Sequence, residues 1–154
     1  MENTIYDIII IGCGPAGMTA AIYAKRLNLS VLVLESNAPG GMMVNTEIIS
    51  NYPGYESING VDLSMAMYSQ MIKLGAIQKS ANINRIEKIN NIFVVGNEIK
   101  SFYGKSVIIA TGTKNKTLGL ANERKYFYRG ISWCAICDGP LYKGRDVAVI
   151  GGGN

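Results

Sequence analysis

Seven residues near the amino terminus, Ile5-Tyr6-Asp7-Ile8-Ile9-Ile10-Ile11, constrain the fold more than any other stretch of this chain. They are nearly all β-branched and barely alternate, which is the pattern of a strand covered on both faces, as in a parallel sheet. The run passes directly into Gly12-Cys13-Gly14-Pro15-Ala16-Gly17, a G-x-G-x-x-G. A helix is expected from about Pro15 to Asn28, with Pro15 near its first position and Met18, Ala21, Ile22 and Leu27 as its buried face. A second strand, Val31-Leu32-Val33-Leu34, ends on Glu35, 18 residues after Gly17. Alone, the glycine pattern is weak. Between a strand and a helix, with an acid closing the next strand, it reads as a dinucleotide-binding unit. The glycines permit the tight turn, the approach of backbone to a pyrophosphate, and close helix–strand contact. The helix amino terminus presents free N–H groups to the phosphates. Glu35 is then placed to take ribose hydroxyls.

Beyond Glu35, Pro39-Gly40-Gly41 opens a Gly/Pro-rich loop reaching Asn51-Tyr52-Pro53-Gly54-Tyr55, long enough to suggest that it lines a ligand. Leu63, Ala66, Met67, Gln70, Met71 and Leu74 mark one face of a helix. Residues 77–103 hold short β-rich pieces (92–95 and 99–103) punctuated by Asn90-Asn91 and Gly96-Asn97, which reads as a small antiparallel meander. Ser106-Val107-Ile108-Ile109 returns to the buried parallel type and stops at Ala110-Thr111-Gly112, where ligands lie in open α/β sheets. Residues 113–130 read as a polar, basic linker. Val147-Ala148-Val149-Ile150 is expected to be another buried strand, running into a second glycine loop with Gly151 and Gly153 as its first two glycines. A strand and phosphate loop with no helix to follow lead us to expect the amino-terminal part of a longer protein.

Between the two glycine loops stands Ser132-Trp133-Cys134-Ala135-Ile136-Cys137-Asp138-Gly139. A Cys-x-x-Cys pair can close a disulfide within one turn of chain, and its thiols can ionise below the free value of ~8.5. Half a zinc site and two ordinary thiols are the other readings. Zinc needs four ligands, and the chain has no histidine and only one further cysteine, Cys13, inside the glycine loop. A redox dithiol without a metal is the favoured reading. With no histidine, proton handling falls to Asp, Glu, Cys, Tyr or Lys.

Charge and hydropathy bound the rest. Residues 1–113 carry eight Lys/Arg and eight Asp/Glu; residues 114–154 carry seven and three, so the excess of +4 surrounds the cysteine pair. That basic region reads as a solvated linker, or as a rim for an acidic partner, ahead of any nucleic-acid surface. No apolar run approaches the ~20 residues of a membrane span. The opening Met1-Glu2-Asn3 lacks a basic region and apolar core, so no secretory signal and a cytoplasmic location are expected.

The order of motifs, Gly12 to Gly17, Gly40-Gly41, Asn51-Tyr52-Pro53-Gly54, Ala110-Thr111-Gly112, Cys134-Ala135-Ile136-Cys137-Asp138 and a second glycine loop, resembles the amino-terminal portion of bacterial-type (low-molecular-weight) thioredoxin reductases along the whole chain. The resemblance implies an α/β fold: a Rossmann-like FAD-binding domain with a small meander (1–113), then linker, redox motif and the start of an NAD(P)-binding domain (114–154). It implies a homodimeric flavoprotein that passes electrons from NADPH through FAD and a Cys134–Cys137 disulfide to oxidised thioredoxin or a similar small disulfide protein.

The same resemblance implies that Gly12, Gly14, Pro15, Ala16, Gly17 and Glu35 hold the ADP part of FAD. Ser36, Gly40, Gly41, Met42, Asn51, Ala110, Thr111 and Gly112 would surround the rest of the flavin, and Gly151 and Gly153 would serve the second nucleotide. Cys137 would face the flavin, Cys134 attack the partner's disulfide, and Asp138 handle protons. The chain departs from the family pattern at Met42, where glutamine is usual, at Trp133 in place of tyrosine, and at Leu120-Ala121-Asn122-Glu123, where a Pro-Gly-Glu turn is common. A related dithiol flavoprotein reducing another carrier, and a fragment that only binds flavin, are the competing readings.

Overall fold

A computed structural model describes residues 4–127 and 129–152, except for the side chains of residues 136 and 137. Backbone contacts divide the chain into two units, Met1–Gly112 and Thr113–Asn154. Among the described residues the first unit is built on one six-stranded sheet, in the order Ile77–Ser80, Val31–Glu35, Ile5–Ile11, Ser101–Ile109, Ile92–Gly96, Arg85–Ile89.

Strand β1 (Ile5–Ile11) lies at its centre, parallel to both β2 (Val31–Glu35) and β6 (Ser101–Ile109). The β-branched run makes this possible, because side chains alternate faces and both faces of the central strands are covered. Ile10, Val31 and Val33 pack with Met18, Ala21 and Ile22 of helix α1 (Pro15–Arg26) and with Leu63, Met67 and Met71 of α2 (Gly60–Lys73). On the other face Tyr6, Ile9, Ile11, Leu32 and Leu34 join Val95. Each fully buried Ile, Val, Leu or Met side chain among them contributes ~1.5–3 kcal/mol of transfer free energy. The strand–helix–strand crossover and its parallel neighbours make the first unit a Rossmann-like α/β domain.

Helix α1 ends two residues before the expected limit, and Leu27 is exposed because it caps the helix instead of continuing its apolar face. In α2 the buried stripe is narrower than the sequence suggests. Leu63, Met67 and Met71 are buried, while Ala66, Gln70 and Leu74 are exposed at the side of a helix packed along a single line. Asn59 caps α2 by accepting the Val61 N–H at 2.8 Å.

The meander is partly as expected. Strands β4 (Arg85–Ile89) and β5 (Ile92–Gly96) form a hairpin, and Asn90 and Asn91, both at positive φ, make its turn. Two differences stand out. Ser101–Ile109 is one continuous strand, antiparallel to β5 through its first half and parallel to β1 along its length, where two separate strands were expected. Its last residues, Ile108 and Ile109, are exposed. The polar segment β3 (Ile77–Ser80) also pairs, parallel to β2, at the sheet edge. Asp7 ties β1 to the start of β2 and the middle of β6: Ser30 Oγ donates to Asp7 at 2.6 Å and Lys105 Nζ lies 2.7 Å away.

The second unit contains short helical turns at Glu123–Tyr126 and Gly139–Tyr142 and the four-residue helix α3 (Ala135–Asp138). The expected linker is therefore partly structured. Glu123, buried, accepts the N–H groups of Leu118, Gly119 and Leu120. The strand expected at residues 147–150 does not form. Val147, Val149 and Ile150 are exposed and unladdered. An extended segment becomes a strand only beside another, and among the described residues of this unit no strand offers an edge.

Candidate functional site

Strands β1, β2 and β6 run parallel, so Gly12, Glu35 and Ala110 arrive at the same carboxyl edge of the sheet. At Gly12 φ is +106°, and a Cβ there would sit 2.2 Å from the Ala110 carbonyl oxygen. Only glycine lets β1 turn away beside β6. At Gly17 a Cβ would sit 2.0 Å from the Gly12 carbonyl oxygen, which fixes how closely α1 returns to the strand. Gly14 is different: its Cβ position meets only the Gly41 Cα, at 3.7 Å. That open glycine face, bordered by the first-turn N–H groups of α1, is a cradle for an anion.

The loop is held from a distance. Gly12 N–H donates to the Leu34 carbonyl at 2.8 Å, Gly40 N–H to the Cys13 carbonyl at 2.8 Å, and Ala110 N–H to the Ile11 carbonyl at 2.8 Å. Glu35 accepts the Cys13 N–H at 2.8 Å through one carboxylate oxygen and the Asn37 N–H at 2.9 Å through the other. An ionised carboxylate has about four acceptor positions, so capacity remains for ribose hydroxyls. Cys13 is buried, a free thiol pushed up to about 11 by burial and by the charge of Glu35.

The structure thus brings together Gly12, Gly14, Pro15, Ala16, Gly17, Glu35, Gly40, Gly41 and Ala110, with Ser36 adjoining Glu35. Met42, Asn51, Thr111 and Gly112 are exposed to solvent. The arrangement fits the ADP portion of a flavin dinucleotide: an open glycine face for the pyrophosphate and an acid one strand away for the ribose. Among the described residues of the second glycine loop no comparable cradle forms. Gly151 has open space around it and the preceding segment is unpaired, while Gly153 lies outside the described residues.

In the second unit Cys134 is disulfide-bonded and half-buried, and the side chain of Cys137 lies outside the described residues. Trp133 donates its indole N–H to the Lys116 carbonyl at 3.0 Å and meets Phe127 edge-on, with ring centroids 4.5 Å apart. Cys134 N–H donates to Ser132 Oγ at 3.1 Å, and that hydroxyl donates to Asp138 Oδ2 at 2.5 Å. A hydroxyl has one proton, and the Cys134 carbonyl at 3.5 Å is the weaker of its two acceptors. Asp138 N–H returns to the Cys134 carbonyl at 2.9 Å, closing one turn of helix.

Ser132 and Glu123 are the residues that sequence reasoning passed over. A serine two before a cysteine, able to accept its amide, was the available signal for the first. Three amides preceding an acid in a Gly/Asn-containing turn gave none for the second.

Comparison with known proteins places these features in a group. Residues 6–154 match the family described as pyridine nucleotide-disulphide oxidoreductase. The thioredoxin reductase of Mycoplasma pneumoniae is 46% identical over 154 residues, covering 99% of this chain and 49% of that protein. That of Bacillus subtilis is 46% identical over 153 residues, with 99% and 48% covered. The crystal structure of thioredoxin reductase from Streptococcus pyogenes superimposes with a TM-score of 0.83 at 48% identity, over 92% of this chain and 46% of that one. The chain therefore spans about half the length of the curated relatives it matches.

Proposed function

This chain belongs to the pyridine nucleotide-disulphide oxidoreductase family, and from that premise we propose that it is the amino-terminal half of an FAD-dependent thioredoxin-disulfide reductase. Electrons would come from NADPH, pass through FAD to the Cys134–Cys137 pair, and leave to thioredoxin or a similar small disulfide protein. Residues 1–113 would hold FAD, and residues 114–154 would carry the redox pair and open the nucleotide domain. Gly151 and Gly153 would begin the NADPH site. A homodimer and a cytoplasmic location complete the proposal. Among the described residues no helix is long and apolar enough to cross a membrane.

The observation that carries this reading is the disulfide-bonded Cys134 within a Cys-x-x-Cys-Asp segment whose acid is held by Ser132. FAD, held at Gly12–Gly17 and Glu35, supplies the two-electron chemistry when bound. The chain's own residues do the rest. Cys134, as thiolate, attacks one sulfur of the partner's disulfide. Cys137 then attacks Cys134, closing the internal disulfide and freeing the partner as a dithiol. Asp138 carries the protons.

Trapping in the whole protein tests the assignment. Cys137→Ser should accumulate a mixed disulfide with thioredoxin, visible as a reducible band on a non-reducing gel. Cys134→Ser should give no such band, and either substitution should abolish turnover. A band formed by Cys134→Ser alone would reverse the two roles, and turnover surviving in both would sink the dithiol reading. Failure with thioredoxin but capture of another small disulfide protein would point to a related carrier reductase.

A further inference from the structure

We infer that Ser132 is a positioning residue for proton transfer, acting through Asp138. The inference rests on the dithiol reading above and adds to it a residue for which the cysteine motif itself has no place. Two contacts carry it. The hydroxyl donates to Asp138 Oδ2 at 2.5 Å while accepting the N–H of Cys134 at 3.1 Å. One oxygen thus links the backbone of the attacking cysteine to the carboxylate, in a segment where Cys134 is already in its disulfide form.

The chemistry explains why the oxidised state needs that link. Reduction of an external disulfide starts from a Cys134 thiolate, a second thiol and a protonated Asp138. The Cys134–sulfur bond forms, the partner's S–S bond breaks, and the departing thiolate takes the proton of Asp138. The second thiol then attacks Cys134 Sγ; its proton passes through Asp138 to the second departing thiolate. Two electrons and two protons have moved to the partner, and the chain is left with a disulfide and a carboxylate. That carboxylate is the state to which a hydroxyl donor is matched. With Ser132 tied to the Cys134 amide, the acid stays fixed against the backbone of the cysteine instead of turning into solvent.

A comparison of leaving groups tests this without the nicotinamide or flavin steps, using the whole protein reduced by dithiothreitol and freed of it. An alkyl disulfide, glutathione disulfide, releases a basic thiolate that needs a proton. An aryl disulfide, dithiobis-nitrobenzoate, releases a weakly basic one that does not. Ser132→Ala should slow exchange with the first by ~10-fold, part of the usual contribution of a general acid, and leave the second nearly unchanged. Ser132→Thr, which keeps the hydroxyl, should restore the rate. Adding Ser132→Ala to Asp138→Asn should cost nothing further, since residues acting as one unit are non-additive. Equal slowing with both disulfides would make Ser132 a merely structural residue. No slowing with either, or additive losses in the double variant, would remove it from the proton path. If the unaltered protein exchanged with neither disulfide, the dithiol reading itself would fall, and this inference with it.

Discussion

Cys13 and Cys134 each sit beside a turn and close to an acid, yet their surroundings make them opposites. The backbone around Cys13 is secured by Glu35, Leu34, Gly40 and Ala110, all more than 20 residues away in sequence. The backbone around Cys134 is secured mainly by Ser132 and Asp138, two and four residues away. Glu35 is committed to the Cys13 amide, and its charge opposes thiolate formation. Asp138 is held by a hydroxyl, beside a cysteine already in a disulfide. An acid next to a cysteine is therefore no signature of redox chemistry. Burial first, and then what the acid is bonded to, separate a packing thiol from a reactive one.

The largest effect that separates the two is thiol reactivity. With Cys13 raised to about 11, its thiolate is roughly one part in a thousand at pH 8, against about a quarter for a free cysteine. In the reduced whole protein, iodoacetamide should modify Cys13 several hundred-fold more slowly than an unperturbed thiol. Denaturant should remove the difference, and peptide mass spectrometry reads both. Labelling of Cys13 at the rate of Cys134 would erase the contrast. A smaller effect probes what holds the loop. Glu35→Ala should weaken FAD binding by ~1.5–3 kcal/mol, the loss of one charged hydrogen bond, or ~10–100-fold in Kd. It should also speed Cys13 alkylation, because the opposing charge is gone. An unchanged Kd would leave the acid with a purely structural part.

The smallest effect concerns the other end of the same strands. Lys105 and then Ser30 hold the Asp7 carboxyl well below the usual carboxylate range. A depressed folded value means stability that is present above the unfolded value of ~3.9 and lost as pH falls through the folded one. Urea unfolding of the first unit should thus show a modest loss below pH ~4 that Asp7→Asn flattens, with disulfide exchange at Cys134 unaffected. Identical pH profiles for both proteins would show that the clasp contributes nothing measurable.

Much of the first unit was legible because its signals are local. Ile5–Ile11, the glycine loop, α1 and the strand ending at Glu35 follow from period, turn chemistry and motif spacing within 35 residues. Strand β6 was less so. Gly104-Lys105 looks like an interruption in sequence, but Gly104 lies under Ile9, where a Cβ would come within 2.8 Å of that side chain. Only the neighbour explains the glycine. The polar β3 carries no hydrophobic alternation, because an edge strand needs little. Residues 147–150 show the converse: a strong strand pattern stays single without an edge to join. At the redox segment the spacing of Cys134, Cys137 and Asp138 was plain, while Ser132 mattered only once a turn of helix brought it to the acid.

The place of β1 between β2 and β6 has a consequence for the nascent chain. Its first neighbour follows within a few dozen residues, but the 65 residues between Glu35 and Ser101 must be translated before the second exists. At ~5–20 residues per second that is roughly 3–13 s. Throughout that interval an isoleucine-rich strand has one side unpaired, the arrangement most prone to recruit another chain. Synthesis of this protein therefore includes a window in which ribosome-associated chaperones have a defined target, and slow codons after Glu35 would lengthen it.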